Sequence, residues 1–263
     1  MNDNQFLQTI ATMKPPKNAI NILKNIHNIP FFVYTISKTG TTTLAISLQK
    51  MMNNGDTYEH VVHCHSESCW KRIFNIDFNF DLMDLIKSQS TKPVIFQLSR
   101  DPVQRLVSLF YHVNRHVTHC ASYDKLIHFL ENNKNGCNYA YYEKKFNVKL
   151  KDLTFCHQRK CCVVDKDDFI LFYMKLEDFD AHLETNIKRE LPHLKNVDTF
   201  KLRKSNVTEK CLFTKTMRDI ENKGLPPHLC QSIFNANRDE VHFFFSHDEL
   251  SDFEAKYSVE IHL

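Results

Sequence analysis

The chain has 263 residues, 42% hydrophobic and 25% charged, which suits a folded unit with a substantial core. Its formal net charge of +3 is too small to argue for nucleic acid as a partner, and fits a near-neutral surface with one basic cleft. No apolar run approaches the roughly 20 residues of a membrane span, and Met1-Asn2-Asp3-Asn4-Gln5 lacks the basic-then-apolar order of a signal peptide, so the expectation is a cytoplasmic protein, or a Golgi lumenal one if it is trimmed from a longer enzyme.

Residues 1–29 read as a polar, Asn- and Lys-rich lead-in to one domain over 1–263. The apolar run 31–36 predicts the first strand. A helix over 42–53 follows, with Leu44, Leu48, Met51 and Met52 on one face and Gly55 as a left-handed cap. Residues 59–63 predict a short second strand, 78–87 a helix, and 93–99 a strand whose near-continuous apolar character suits burial on both faces of a parallel sheet. Asp101-Pro102 opens the next helix as cap and first residue, with Val103, Leu106, Val107, Phe110 and Val113 as its buried stripe. The stretch 118–160 mixes helix and loop and is Tyr-rich at 139–142. A buried strand over 169–176 precedes helices at 178–190, 208–220 and 227–237. Strands alternating with helices predict an α/β fold in three layers, a central parallel sheet flanked by helices, with ligands beyond the carboxyl ends of the strands.

Two anion-binding signatures fall at such ends. In Ser37-Lys38-Thr39-Gly40-Thr41-Thr42-Thr43 a strand breaks into a small-residue loop and enters a helix. The first turn of that helix offers N–H groups and a favourable dipole, Lys38 adds a full charge, and the threonines add hydroxyls. A nucleotide-triphosphatase loop would carry its Lys after the last Gly, whereas here Lys38 precedes Gly40 and no upstream Gly exists. An ordinary strand-to-helix turn is the plain alternative. In the second signature Arg100 ends a strand, where its fork can clasp a phosphate, and Ser108 lies two helical turns on. Its plain alternative is an Arg100–Asp101 pair beside a surface serine.

Together the two motifs resemble the sulfotransferase superfamily, whose donor is 3′-phosphoadenosine 5′-phosphosulfate (PAPS) and whose product is adenosine 3′,5′-bisphosphate. The resemblance implies a P-loop-like fold in which Ser37, Lys38, Thr39, Gly40, Thr41, Thr42 and Thr43 grip the 5′ side of the donor, while Arg100 and Ser108 hold the 3′-phosphate. His63-Cys64-His65 after the second strand is similar to the uronosyl 2-O-sulfotransferase branch, which implies a histidine base, His63 or His65. Arg203-Lys204-Ser205 resembles the late loop by which carbohydrate sulfotransferases close over the donor, and the order of motifs resembles a family of capsular polysaccharide synthesis proteins. The small-molecule sulfotransferases' late Arg-Lys-Gly-x-x-Gly-Asp stretch is missing, which turns the expected acceptor from phenols and steroids to a glycan hydroxyl.

The chemistry follows from the residue types. In-line sulfuryl transfer rests on positioning and charge neutralisation. Lys38 would meet the bridging oxygen as the nucleotide leaves, and a near-neutral histidine suits a sugar hydroxyl that needs a base. A nucleotide-dependent kinase-like enzyme and a non-catalytic anion-binding protein are the alternatives.

No metal is expected. His60, His63, Cys64, His65 and Cys69 cluster, as do Cys156, His157, Cys161 and Cys162, but the C-x₂-C pairs typical of zinc are missing. Nine cysteines, an odd count, read as mostly reduced thiols. Glu177-Asp178 reads as a helix cap or a second acid pair, Arg105 as a solvated or glycan-contacting cation, and Phe243-Phe244-Phe245 as packing.

Overall fold

The computed structural model describes residues 27–53, 60–65, 81–114, 122–134, 139–194, 196–202 and 214–261. Five strands form one sheet: β1 (Phe31–Tyr34), β2 (Val61–Cys64), β3 (Val94–Ser99), β4 (Cys162–Asp165) and β5 (Ile170–Lys175), in the order β2-β1-β3-β5-β4. The first three and β5 run parallel, as expected, but β4 is an antiparallel edge strand that the sequence reading missed. Its four residues are only half-buried to exposed, so they lack the apolar run that marks β3 and β5.

Both faces of the sheet are covered. Alternation along β1 sends Phe31 and Val33 to one side and Phe32 and Tyr34 to the other. The first side packs Leu44, Ala45, Leu48 and Met51 of α1 (Thr41–Asn53) and Ile187 of the helix at Glu184–Glu190. The second side packs α2 (Leu82–Lys87), α3 (Pro102–Val113), α4 (Tyr123–Asn133) and α5 (Ala140–Phe146). The Glu184–Glu190 helix is α6; α7 (Thr214–Lys223), α8 (Pro227–Ala236), α9 (Arg238–Phe244) and α10 (His247–Tyr257) complete the chain.

The predicted cap of α3 is present: Asp101 accepts from the N–H groups of Val103 and Gln104 at 2.9 and 3.1 Å, with Pro102 next. Asp101 also accepts from Tyr257 Oη at 2.6 Å and Lys256 Nζ at 3.0 Å, so α10 rather than Arg100 neutralises it. Val113 departs from the expected buried stripe and is 53% exposed, because it lies at the end of α3. Residues 178–190 are helical but irregular, a turn of 3₁₀ and a π turn preceding α6, and neither Glu177 nor Asp178 caps. Arg105 is a correction: it is 2% exposed and pairs with Glu240 at 2.6 Å and Asn237 Oδ1 at 3.0 Å, with Ser99 donating to the same carboxylate. Phe243, Phe244 and Phe245 are core, as expected. Among the described residues, no helix is long and apolar enough to cross a membrane.

Candidate functional site

The order β2-β1-β3 reverses direction at β1, because the chain steps from β1 to β2 on one side and returns to β3 on the other. Such a switch point leaves a crevice at the carboxyl ends of the two strands that part. Here they part at a definite place. Backbone pairing of β1 with β3 runs through Val33↔Phe96. Beyond it, side chains take over: Gln97 Nε2 donates to the Tyr34 carbonyl, while Thr35 Oγ1 donates to the Leu98 carbonyl at 3.0 Å and accepts from the Leu98 N–H at 2.9 Å. Buried Thr35 and Gln97 thereby satisfy main-chain groups that the splayed strands no longer satisfy for each other.

The loop after β1 sits at this mouth. Lys38 has φ 66° and Gly40 φ 80°, a left-handed pair of kinks that turns the chain from strand into α1. A Cβ on Gly40 would stand 2.4 Å from Leu176 Cδ1 in a left-handed backbone, so a side chain here would strain the turn and displace Leu176 from its place against the loop. Thr39 is buried and its hydroxyl donates to the Ile36 carbonyl at 2.8 Å. That hydroxyl shapes the loop, so what Thr39 can offer an anion is its N–H. The first intrahelical bond of α1 runs from Leu44 N–H to the Gly40 carbonyl, and the N–H groups ahead of it have no helix carbonyl behind them. Thr42 and Thr43 are partly exposed, Thr41 is buried, and the first turn carries no acidic residue to compete for that pole.

Arg100 reaches across from the end of β3. Its Nη1 lies 3.4 Å from the Lys38 carbonyl and its Nη2 3.3 Å from Gln104 Oε1. The two signatures, 62 residues apart in sequence, thus meet at one crevice. Ser37 is half-buried in the same loop, and Ser108 is half-buried on α3. Arg203, Lys204 and Ser205 lie outside the described residues.

The histidines enter from the other flank of β1. Val33 pairs with His63, and strand alternation puts His63 and His65 on one face, their rings edge to face with centroids 5.1 Å apart. His65 Nδ1 donates to the Thr35 carbonyl at 2.8 Å, and Tyr142 Oη donates to the His65 carbonyl at 2.8 Å. A carbonyl only accepts, so the neutral ring carries its proton on Nδ1 and its lone pair on Nε2. Burial holds the His65 pKa below the usual value; the Thr35 bond opposes this, and nearby Lys38 adds to the lowering. Burial, helped by His65, pushes His63 down to about 4, and its Nε2 is buried without a hydrogen-bond partner.

No family model matches the chain, and none of the curated proteins does.

Sequence reasoning missed the frame around these groups. Thr35 reads as the tail of an apolar strand, and only tertiary contact reveals its three bonds. The Tyr-rich stretch 139–142 carries no local signal of its role. Tyr139 Oη donates to the Leu98 carbonyl at 2.6 Å, Tyr34 Oη lies 2.7 Å from Tyr141 Oη, and Tyr142 holds His65, so α5 braces the ends of β1, β2 and β3 together. Glu177 accepts from the Asp101 N–H at 2.9 Å; burial raises its pKa, while Arg100 is among the groups that favour its charge. Among the described residues, no group of three or more His, Cys, Asp and Glu converges as metal ligands.

Proposed function

We propose that the chain is a P-loop-like sulfotransferase that moves a sulfuryl group from PAPS to a hydroxyl of a glycan or polysaccharide. The observation that carries the reading is the 3.4 Å approach of Arg100 to the Lys38 loop at the β1/β3 crevice, with His65 on the far side of the same loop. A donor with anionic groups at both ends needs two separate cationic sites within one cleft. The residues present fit that need: an ammonium and helix N–H groups on one side, a guanidinium on the other, and no carboxylate in the first turn of α1.

Bound, the donor supplies an activated sulfuryl group on a phosphate leaving group. Lys38 neutralises the charge that grows on the bridging oxygen. Ser37, Gly40, Thr41, Thr42 and Thr43, with the N–H of Thr39, would hold the 5′ side, and Arg100 and Ser108 would hold the 3′-phosphate; the resemblance adds Arg203, Lys204 and Ser205, which lie outside the described residues, as further donor-binding candidates. His65 Nε2 takes the proton from the acceptor hydroxyl, its ring fixed by the Thr35 carbonyl. His63, held neutral by burial, steadies that ring through its edge-to-face contact. The reaction as read needs no metal.

Calorimetric titration with adenosine 3′,5′-bisphosphate, followed by a glycan panel with radiolabelled PAPS, tests the reading. Tight binding and labelled product are expected. Preference for ATP would turn the reading to a kinase-like enzyme. Binding without transfer to any acceptor would turn it to a non-catalytic binding protein.

A further inference from the structure

Away from the crevice, a tight hairpin leads into β4. Cys156 and Cys161 face each other as an antiparallel bridge; the Cys156 N–H donates to the Cys161 carbonyl at 3.1 Å, and the Lys160 N–H closes the turn onto the Cys156 carbonyl at 2.7 Å. Directly opposed residues of an antiparallel pair have Cα atoms about 4.5–5.5 Å apart and side chains on one face. That separation falls within the roughly 4.4–6.8 Å a disulfide spans. Both thiols are free.

The two sulfurs are not equivalent. Cys156 is half-exposed, and Arg159 Nε lies 3.2 Å from its Sγ. That guanidinium lowers the Cys156 pKa and favours thiolate. Cys161 is 2% exposed, and burial pushes its pKa up to about 11, although Arg189 Nη2 lies 3.8 Å from its Sγ. One position therefore offers an accessible nucleophile and the opposite one a shielded thiol. Cys162, the next residue, packs against the core on the other face of the sheet and is not aimed at this pair.

We propose that Cys156 and Cys161 form a peroxide-oxidisable dithiol, Cys156 reacting first and Cys161 resolving it. The Cys156 thiolate attacks hydrogen peroxide, the O–O bond breaks, hydroxide leaves and Cys156 becomes a sulfenic acid. The Cys161 sulfur then attacks the sulfenic sulfur. The S–S bond forms, the S–O bond breaks, and the hydroxyl departs with the Cys161 proton as water. Two electrons pass from the thiol pair to the peroxide. The inference rests on the hairpin alone and is independent of the reaction at the crevice.

The test exposes the full chain to equimolar hydrogen peroxide, removes the peroxide, unfolds the chain in guanidinium chloride, blocks remaining thiols with N-ethylmaleimide and maps peptides by mass spectrometry. The expected result is loss of two alkylatable thiols and a Cys156–Cys161 cross-link that dithiothreitol reverses. Cys156→Ser is expected to lose the cross-link, and Cys161→Ser to leave a sulfenic acid at Cys156 that dimedone traps. Because Cys161 is core, dimedone added during oxidation of the unaltered chain provides a second readout, with the adduct expected on Cys156 in competition with the cross-link. A cross-link to any other cysteine, unchanged oxidation in Cys156→Ser, or stoichiometric zinc that protects these thiols from alkylation would overturn the proposal.

Discussion

The carbonyl oxygen of Thr35 lies 2.8 Å from Nδ1 of His65. The side chain of the same residue bridges the Leu98 N–H and carbonyl. One threonine thus joins the end of β1 to its neighbours on both sides, where the strands part. It spaces the crevice with its hydroxyl and sets a histidine tautomer with its carbonyl.

Thr35→Val keeps the shape and removes the hydroxyl. The Leu98 N–H loses a buried partner, and an unsatisfied buried group costs roughly 1–3 kcal/mol. Urea unfolding is expected to show that loss with an unchanged slope. A variant as stable as the parent would mean that water or another group replaces the hydroxyl.

His65→Asn is expected to keep a donor near the Thr35 carbonyl but lose the proposed base, lowering kcat by roughly 10²–10⁴. His63→Gln is expected to lower it less. The base must be neutral to act, and the His65 pKa lies below the ordinary value. The rate is therefore expected to rise with pH through an inflection below about 6.5 and to be flat at neutrality. An inflection above 7 in the parent, or equal rates for His65→Asn and parent, would remove His65 as base.

His63 makes stability pH-dependent. Its folded pKa of about 4 lies below the ordinary 6.5, so above 6.5 neither state is charged and there is no effect. As pH falls from there towards 4, the unfolded chain takes a proton that the native state refuses, and stability drops by roughly 3 kcal/mol in all. Urea unfolding at pH 7 and pH 5 is expected to show a smaller difference in His63→Leu than in the parent. Equal differences would mean that the ring is charged in the fold.

Lys38→Ala is expected to cut kcat by on the order of 10²–10³ with the fold intact, as loss of one donor to a developing charge does. Arg100→Ala is expected to weaken adenosine 3′,5′-bisphosphate in calorimetry more than it slows the saturated enzyme. Unchanged nucleotide affinity in that variant would separate Arg100 from the 3′-phosphate.

Gly40→Ala places a methyl 2.4 Å from Leu176 Cδ1 in a left-handed backbone. The conformation alone costs about 1–2 kcal/mol, and the displaced leucine adds to it. Thermal melts are expected to fall, and nucleotide binding to weaken with the loop out of place. A neutral result would mean that Leu176 swings aside and the loop tolerates a side chain.

The parallel strands were legible because each carries its own signal. β3 and β5 are six-residue buried runs, and Asp101-Pro102 marks the start of α3 locally. Boundaries slipped where the signal was weak: β2 is Val61–Cys64 rather than 59–63, and α7 runs to Lys223 rather than ending at 220. The final helices α9 and α10 were missed, although Ser246 and Glu249 form a capping box at the start of α10. Arg105 was misread because an arginine's burial depends on its partner, and Glu240 lies 135 residues away.

By itself, the sequence determined which residue types stand at the strand ends: a lysine–glycine loop, an arginine and a histidine pair, each following an apolar run whose period sets its direction. Tertiary structure alone decided that these ends adjoin, that Thr35 and Gln97 bridge them through side-chain hydrogen bonds, and that His65 rather than His63 keeps an orienting partner. The reason is physical. Side-chain periodicity is local, whereas strand order, burial and hydrogen-bond partnership depend on contacts between segments far apart in the chain.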